Sequence, residues 1–481
     1  MQKKMNYNEV LNYLYTQLPM FQRIGAAAYK SDLKNILSLC EKLNHPEKKL
    51  KFVHIAGTNG KGSVSNMLAA VFQQNGYKTG LFTSPHLTDF RERIRINGKM
   101  ISQPYITRFV NTYKHIFDDI QPSFFEWTTI LAFQYFYEKK ADIVILETGM
   151  GGRLDSTNVL IPELSIITNI GEDHKQFLGD TIPKIAFEKA GIIKENVPVL
   201  ISEYQKETHP VFEETSRNKN APLLYAKNIV SVYEFHQTAK FLELSYKINY
   251  THLIKNLDYS KLNKNINLKK TFDKSNLNFR NIKTKNLDLS KNKIQKVKSP
   301  LNAVYQVKNI SCVLAACEIL QCIGWHLRPR DIRTAIQNTP QLTGFQGRWQ
   351  IIQTIPYIVL DIAHNKQGIL SALQNLKRYS YHTLRIVFGV AKDKEVDEIL
   401  RLLPKNALYY VTQASVPRAM PAEMLYEKMS SFKLKYPPYP TVSDAVVSAL
   451  QDARKNDFIL VFGSAFVVAD ALAYFNSLQK Q

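Results

Sequence analysis

The chain has 481 residues, of which 45% are hydrophobic and 11% aromatic, and it carries a formal net charge of +22. Single hydrophobic cores stop growing at ~250 to 300 residues, so we expect two domains, and this composition excludes a mainly disordered or collagen-like chain. The longest apolar run, 458–469, is interrupted by Gly463 and Ser464 and is shorter than the ~20 residues of a membrane span, and no apolar signal segment follows Met1, so we expect a cytoplasmic protein without membrane contacts.

The first part of the chain alternates short β-branched runs with helical patterns, which is typical of parallel α/β folds. The predicted strands are Phe52 to Ala56, Gly80 to Thr83, Ile143 to Glu147, Leu164 to Thr168 and Val197 to Ile201. Polar residues stand at or just after the ends of the first four strands: 57–63, Ser84 to His86, Glu147 to Gly149, and Asn169 with Asp173 and His174. The ligand crevice of an open parallel sheet lies outside the carboxyl ends of its strands, so these residues predict one site.

The segment between the first strand and a predicted helix, Val64 to Gln74, has the composition of a phosphate-binding loop. Its residues are Gly57, Thr58, Asn59, Gly60, Lys61, Gly62 and Ser63. Glycines let backbone N–H groups turn toward phosphates, and the helix N-terminus adds the positive end of its dipole. Lys61 would reach the outer phosphates and Ser63 would face Mg²⁺. Because Gly62 separates Lys61 from Ser63, an ordinary kinase or GTPase loop is not expected.

Ser84, Glu147 and His174 offer oxygen and nitrogen ligands in the same crevice. Taken singly, a carboxylate at a strand end is commonly a helix cap, and a lone histidine is more often structural than a ligand. Nucleotide-bound Mg²⁺ takes a few protein groups together with phosphates and water, so the three residues in combination predict a metal site.

Half of the excess positive charge lies in one segment, 236–298. This segment holds fourteen Lys and one Arg against four acidic residues, a balance of +11, together with ten Asn and no Gly, and the sequence of 255–261 nearly recurs at 285–291. Such composition indicates an insertion. It is either a basic arm for nucleic acid or another polyanion, or a solvated and poorly ordered loop. We favour the loop and do not expect a nucleic-acid partner, since few aromatic residues are interleaved with the basic ones.

The second part of the chain repeats the α/β alternation. Its predicted strands are Tyr357 to Leu360, Leu384 to Phe388, Leu408 to Val411 and Phe458 to Phe462. We therefore predict an α/β protein with a phosphate-loop, parallel-sheet ATP-binding domain over 1–298 and a smaller Rossmann-like domain over 299–481, with the active site between them. Cys40, Cys312, Cys317 and Cys322 lack the paired spacing of zinc sites and are expected to be small buried residues.

A series of motifs extends over nearly the whole chain outside 236–298. In the first part these are Ala56 to Ser63, Thr83 to Leu87, Phe90 to Ile94, Phe125-Glu126, Glu147 to Asn158 and Glu188 to Ile192. In the second part they are Gln306-x-x-Asn309, Gly347-Arg348, Asp361 to Asn365, Asp393-Lys394, Pro417 to Ala419 and Gly463-Ser464. In this order they resemble the folylpolyglutamate synthase / dihydrofolate synthase branch of the Mur ligase superfamily.

The resemblance implies an ATP-dependent carbon–nitrogen ligase. ATP would phosphorylate a carboxylate to an acyl phosphate, and the amine of L-glutamate would attack it to give an amide, ADP and phosphate. The acceptor would be dihydropteroate, a reduced folate, or both, as in the bifunctional bacterial enzymes. These small molecules would be the partners of a monomeric enzyme.

The resemblance also implies roles for individual residues. The catalytic residues would be Lys61, Glu147, His174 and Lys189, with Lys189 carbamylated to N6-carboxylysine. Two Mg²⁺ ions would be held, one by Ser63 and Glu147 and the other by Ser84, Glu147 and His174. Nucleotide contacts would come from Gln306 and Asn309 to adenine, and from Arg348 and Asp361 to phosphate and ribose. Contacts to the other substrates would come from Phe124, Phe125, Arg153 and His364.

Some alternatives stay open at this point. A ligase of the same superfamily that acts on a UDP-linked muramyl substrate is one, although the segments Thr83 to Leu87 and Phe90 to Ile94 favour the folate branch. A polyanion-binding protein that uses 236–298 is another. The loop 149–158 either crosses the substrate cleft or is a structural turn with an Arg153–Asp155 salt bridge. Asn302 stands where the family commonly has Gly, which bears on the linker between the domains.

Overall fold

The computed structural model of the protein describes residues 4–20, 32–257, 293–392, 394–434 and 437–478. Its strands are Phe52–Ala56 (β1), Thr79–Phe82 (β2), Ile94–Ile96 (β3), Lys99–Met100 (β4), Ile143–Glu147 (β5), Leu164–Ile167 (β6), Val199–Ile201 (β7), Leu223–Tyr225 (β8), Val230–Gln237 (β9), Leu242–Ile248 (β10), Gln295–Ser299 (β11), Gln350–Thr354 (β12), Tyr357–Asp361 (β13), Leu384–Phe388 (β14), Leu408–Val411 (β15), Lys433–Leu434 (β16) and Phe458–Phe462 (β17).

The α-helices are Tyr7–Asn12 (α1), Lys34–Lys42 (α2), Lys61–Gln74 (α3), Gln103–Phe117 (α4), Phe124–Glu138 (α5), Lys175–Leu178 (α6), Ile182–Ala190 (α7), His209–Asn218 (α8), Ala226–Ile229 (α9), Tyr250–Asn256 (α10), Gln306–Cys322 (α11), Pro329–Gln337 (α12), Thr339–Thr343 (α13), Lys366–Leu376 (α14), Val396–Leu402 (α15), Ala422–Lys428 (α16), Val442–Asp452 (α17) and Ala465–Leu478 (α18). None of the helices in the described ranges combines the length and apolarity needed to cross a bilayer.

The first sheet has eight strands in the order β4-β3-β2-β5-β1-β6-β7-β8. All neighbours run parallel from β2 to β8, and the β3–β4 hairpin adds an antiparallel edge. The central strand β1 is buried along its whole length, because α3 covers one face of the sheet and α5 the other. The predicted bounds of β1 and β5 are confirmed, and the predictions for β2, β6 and β7 differ from the structure by one or two residues at an end.

The second sheet has six strands in the order β12-β13-β17-β14-β15-β16. Only β12 runs antiparallel to its neighbour. The predictions for β14, β15 and β17 are confirmed, and β13 extends one residue further, to Asp361. The strands β12, which is exposed at its far end, and β16, which has only two residues, were not predicted from the sequence. The α/β class with two mainly parallel sheets is therefore correct.

The ends of the predicted Lys/Asn-rich insertion are not a loop. The strands β9, β10 and β11 form a separate antiparallel sheet in the order β11-β10-β9. Leu242, Leu244 and Tyr246 alternate along β10 and are buried against the first sheet's core. Their period of two is a strand signal that the many Lys and Asn residues obscured. Residues 258–292, with most of the repeat, lie outside the described residues, so the predicted disorder there stays a prediction.

The helices α11, α12 and α13 come after residue 298 but pack against α3 of the first sheet. Cys312 and Cys317 on α11 are buried in the same core as β1, and Cys40 is buried on the opposite face. These helices fall in the predicted C-terminal domain, because the predicted domain boundary lies at the end of the insertion, after residue 298. We propose from this packing that the first unit extends to about residue 343.

Candidate active site

The phosphate loop is held in shape by the neighbouring strand end after β6. The backbone N–H of Thr58 donates to the Asn169 carbonyl at 2.8 Å, and the backbone N–H of Asn59 donates to the Asn169 side chain at 2.8 Å. Gly60 has a φ of 89°, a left-handed conformation that favours glycine, and caps α3. The Lys61 ammonium folds back to the Gly57 carbonyl at 3.0 Å. The loop is thus a preformed turn at a helix N-terminus, as an anion site requires.

The hydroxyl of Ser63 is buried and already has one partner. It accepts a hydrogen bond from the Gln306 amide at 3.1 Å, and the Gln306 oxygen accepts from Asn309 at 2.8 Å. A hydroxyl has two acceptor positions and one donor, so Ser63 keeps capacity for a further ligand. Gln306 therefore supports the phosphate loop, whereas Asn309 lines the open cavity beside Gly60.

Glu147, at the end of β5, is a buried carboxylate beside the phosphate loop. Its Oε2 accepts from the backbone N–H of Ser84 at 3.3 Å, so two of the predicted metal ligands are in contact. Burial raises the pKa of Glu147, and the nearby cations Lys61, Arg348 and Arg93 oppose that shift. A carboxylate that burial destabilises gains from a bound cation, which supports the predicted metal site.

Lys189 is buried on the last turn of α7 and reaches the phosphate loop. Its Nζ donates to the Gly57 carbonyl at 3.0 Å. Burial, reinforced by the positive charge of Lys61, lowers the pKa of Lys189 to about 7, and the carboxylates of Asp173 and Asp155 oppose this shift. A substantial share of Lys189 is therefore neutral near pH 7.

Four side chains surround Asp173, in the loop after β6. Lys394 donates to its Oδ1 at 2.6 Å and Asn365 to its Oδ2 at 3.1 Å, both from the second unit. His364 lies 3.4 Å from Oδ2. Burial lowers the pKa of the adjacent His174 to about 3, despite the opposing charge of Asp173, so its imidazole is neutral. Asp173 thereby ties the first unit to the second at the site.

Two adjoining cavities lie between the units. The larger cavity, of about 480 Å³, is lined by the phosphate loop, Glu147, Asn309, Arg348 and Asp361, among others. The smaller cavity, of about 240 Å³, is lined among others by the residues Arg93, Phe124, Phe125, Gly149, Met150, Leu154, Asp155, Ser156, His174, Lys394, Arg418 and Ser464. Ser84, Pro85 and His364 line both. The predicted ligands Ser84, Glu147 and His174 thus lie around the junction, with Glu147 on one side and His174 on the other.

The second unit contributes a buried pair to the larger cavity. Asp361 Oδ2 accepts from the Tyr305 hydroxyl at 2.7 Å and from the Trp349 backbone at 2.9 Å, while Oδ1 accepts from the Ala363 backbone at 2.8 Å. These bonds fix the carboxylate, and Oδ1 keeps an acceptor position for a hydroxyl. The buried guanidinium of Arg348 lies next to Gly62, in reach of whatever the phosphate loop holds.

The smaller cavity has an aromatic wall. Phe124 packs against Tyr15 and Phe90, with ring centroids 5.7 and 5.9 Å apart. The buried guanidinium of Arg93 lies 5.1 Å from the Phe124 ring and donates to His86 at 2.7 Å. Burial lowers the pKa of Arg93 to about 10. A flat aromatic group with a carboxylate suits such a wall, because the rings offer faces and Arg93 offers a cation.

One predicted substrate residue is not among those that line either cavity. Arg153 forms an ion pair with Glu188 on α7 at 2.8 Å and is largely exposed. In the alternative interpretation of the loop 149–158, Arg153 pairs with Asp155; in the structure Arg153 pairs with Glu188, and Asp155 accepts hydrogen bonds from Met150 and Thr157. A substrate contact by Arg153 stays a prediction.

Several residues of the site were not singled out from the sequence. Arg93 was quoted only as part of a motif, and Asp173, Tyr305 and Asn365 carried no assigned role. Their partners come from other segments, so no local spacing marks them. Asp393, in one of the quoted motifs, lies outside the described residues.

The phosphate loop on one parallel sheet, facing a second sheet across two cavities, defines an ATP-dependent ligase of the Mur type. Two family models agree: the Mur ligase middle domain matches residues 55–317, and the Mur ligase glutamate ligase domain matches residues 347–465. A dihydrofolate synthase/folylpolyglutamate synthase of Bacillus subtilis is 30% identical over 92% of this chain and 94% of its own. The chain belongs to the dihydrofolate synthase/folylpolyglutamate synthase family.

Solved structures agree on the fold. Folylpolyglutamate synthase of Thermotoga maritima superposes with a TM-score of 0.75 at 29% identity, covering 98% of this chain and 97% of its own. Folylpolyglutamate synthase of Mycobacterium tuberculosis, complexed with ADP and AMPPCP, gives a TM-score of 0.77 at 25% identity, with 97% of each chain covered.

Proposed function

We propose that this ligase adds L-glutamate both to dihydropteroate and to reduced folates at the expense of ATP. The adjoining cavities that share Ser84, Pro85 and His364 carry the proposal. The larger one has the loop, cations and carboxylates that a nucleoside triphosphate needs, and the smaller one has an aromatic wall for a pteroate. Their junction is where a substrate carboxylate would meet the outer phosphate.

The chemistry follows from the weakness of a carboxylate as an electrophile. A carboxylate oxygen attacks the γ-phosphorus, and ADP leaves with the electrons of the broken P–O bond. The glutamate amine then attacks the acyl carbon of the acyl phosphate, gives up its proton, and inorganic phosphate leaves. Negative charge builds on phosphate oxygens in the first step, so positioned cations such as Lys61 and Arg348 lower the barrier.

We propose two Mg²⁺ positions, one held by Ser63 and Glu147 and the other by Ser84, Glu147 and His174. The residues fit a divalent ion: Glu147 is a buried carboxylate, Ser63 keeps acceptor capacity, and His174 is neutral. Such ions would neutralise phosphate charge.

We also propose that Lys189 is carbamylated. Only a neutral amine adds CO₂, and the pKa of Lys189 of about 7 supplies one. The carbamate would place an anion close to Gly57, where it could help to hold a cation that binds the phosphates.

A phosphate-release assay crossed over dihydropteroate, tetrahydrofolate and glutamate tests the function. We expect release only when ATP, glutamate and one pteroate are all present, with a mass gain of one glutamyl residue in the product. A UDP-muramyl substrate serves as the control and should give none. Phosphate release with the UDP-muramyl substrate and not with the pteroates, or no phosphate release with either pteroate, would overturn the proposal. A cytoplasmic monomer stays our prediction, and light scattering would test the oligomeric state.

A further inference from the structure

A buried chain of three side chains runs from the centre of the first sheet to the smaller cavity. His54, in the middle of β1, has its Nε2 2.8 Å from the hydroxyl of Thr157. That hydroxyl lies 2.5 Å from Oδ1 of Asp155. Asp155 lines the smaller cavity. All three residues are buried, and the proposed function assigns no role to His54 or Thr157.

The protons in this chain can be assigned from its ends. Asp155 accepts from the backbone N–H groups of Met150 at 2.8 Å and Thr157 at 3.0 Å, so its carboxylate acts as the acceptor throughout. The single hydroxyl proton of Thr157 therefore points to Asp155. His54 must then donate from Nε2. Burial and the charge of Lys194 lower the pKa of His54 to about 3, which keeps the ring neutral with its one proton on Nε2.

The carboxylate at the end of this chain closes the loop 149–158. By accepting from Met150 and Thr157 it bridges the two halves of the loop, whose residues Gly149, Met150, Leu154 and Ser156 line the smaller cavity. On its other side the loop rests on the end of α7. A Cβ on Gly152 would lie 2.9 Å from the Lys189 carbonyl, and the Asn158 amide donates to the Gly191 carbonyl at 3.0 Å.

The loop is thus clamped between β1 and α7, and its contacts to α7 alone do not set its inner shape. The hydrogen-bonded side chains that lead from His54 set this inner shape, because Asp155 accepts from both Met150 and Thr157 and so joins the two ends of the loop. An apolar residue in the middle of β1 would satisfy the core equally well, since Phe52 and Ala56, which point to the same face of the strand as His54, are buried and apolar. The histidine is therefore explained by the loop rather than by the core.

We propose that His54 and Thr157 are positioning residues for the pteroate substrate, which hold Asp155 and so keep the loop 149–158 in its binding shape. The proposal rests on the proposed function for the identity of the substrate. The larger cavity contains none of the loop residues, so nucleotide binding should not depend on this chain.

The variants Thr157→Val and Thr157→Ser form a matched pair for the test. Valine keeps the shape and loses the hydroxyl, whereas serine keeps the hydroxyl. We expect Thr157→Val to raise the KM for the pteroate about tenfold, the effect of one hydrogen bond to a charged group, with the KM for ATP unchanged. Thr157→Ser should restore the KM of the unmodified enzyme. An unchanged pteroate KM in Thr157→Val, or a parallel rise for ATP, would overturn the proposal.

A second measurement does not require turnover. We expect backbone amide hydrogen exchange in a peptide covering 149–158 to accelerate about tenfold in Thr157→Val, while a peptide covering β14 exchanges as before. Unaltered exchange in the loop would refute the positioning role even if the enzyme used another substrate. Conversely, the exchange could be faster in a variant of an enzyme that does not release phosphate with either pteroate. That result would refute the proposed function and the substrate assignment, but the hydrogen bonds from His54 through Thr157 to Asp155 would still support the loop. If Thr157→Val does not fold, His54→Leu and His54→Gln provide the same comparison, since only glutamine retains a donor.

Discussion

The two cavities at the active site are built in different ways. The larger cavity takes its key groups from one contiguous loop, 57–63, which includes Lys61, and from the buried carboxylate of Glu147 and the guanidinium of Arg348. The smaller cavity is assembled from many separate segments and has an aromatic wall. On the proposed function, phosphate chemistry would therefore depend on charge and backbone shape, whereas substrate selection would depend on packing between distant parts of the chain.

The largest effect should come from the larger cavity, when Lys61 is replaced. Lys61→Ala removes a cation next to the outer phosphates, so we expect kcat to fall about 10³-fold in the phosphate-release assay. Lys184→Ala is the control, because Lys184 lies on the surface and pairs with Asp180 in a surface contact. Near-normal turnover in Lys61→Ala would remove this lysine from the catalytic set.

Glu147→Gln should have the next largest effect. The amide keeps the shape and loses the charge that would hold Mg²⁺, so we expect a loss of about 10²-fold with a raised Mg²⁺ requirement. A Mg²⁺ titration of turnover checks this. Glu203→Gln, at a carboxylate that lines the same cavity but pairs with Lys308, should leave the titration curve in place. Identical curves for Glu147→Gln and the unmodified enzyme would argue against a metal ligand.

Lys189 donates to Gly57 of the phosphate loop, and its charge interacts with Asp155, which lines the smaller cavity. We expect Lys189→Ala to lose about ten- to 100-fold in rate and to recover partly with a short carboxylate such as acetate. Because the pKa of Lys189 is lowered to about 7, its amine is protonated below that pH and neutral above it, so activation by bicarbonate should grow as the pH rises through 7. Mass spectrometry of the intact protein should show one added CO₂. Activity independent of bicarbonate, without that added mass, would favour the free amine.

The smaller cavity should respond in substrate affinity rather than in rate. Phe125→Leu reduces the aromatic surface beside Gly149, so we expect the KM for the pteroate to rise about tenfold while the KM for ATP stays constant. Phe187→Leu, at a ring that is 54% exposed, is the matched control. A shift of the ATP KM in Phe125→Leu would show that the two cavities are not separable in this way.

The smallest effect is expected from the Lys/Asn-rich segment. Replacing 258–292 by a short Gly/Ser linker leaves β10, β11 and α10 intact, so we expect turnover within about twofold of the unmodified enzyme. Binding of a nucleic acid should be weak in both proteins and lost at moderate salt. A salt-sensitive affinity that disappears with the deletion would instead favour the polyanion-binding alternative.

The sequence was sufficient for the elements whose signals are local. The strands β1, β5, β14, β15 and β17 are continuous apolar runs and were predicted with correct bounds. The phosphate loop was predicted from contiguous residues, but α3 begins at Lys61 rather than at the predicted Val64. The contact between Ser84 and Glu147 follows from their places at the ends of neighbouring parallel strands, β2 and β5. Topology alone was enough for this part of the site.

The missed features depend on contacts between distant residues. Asp361 is fixed by Tyr305, which lies 56 positions away, and Asp173 by Lys394, 221 positions away. The helices α11 to α13 fall in the predicted C-terminal domain, yet they pack against α3 of the first sheet, and a helical pattern alone does not say which sheet a helix covers. Gln306 bonds to Ser63, a contact across 243 positions that the sequence did not predict, and its contact with adenine stays a prediction.

The antiparallel sheet β11-β10-β9 offers a practical consequence. Leu257 and Lys293 flank the 258–292 segment. The described residues on its two sides include the paired strands β10 and β11, whose apolar residues are buried in the first core. A fluorescent label or affinity tag inserted between Leu257 and Lys293 would thus be carried by a rigid base. Such a reporter could follow the enzyme during purification or in cells.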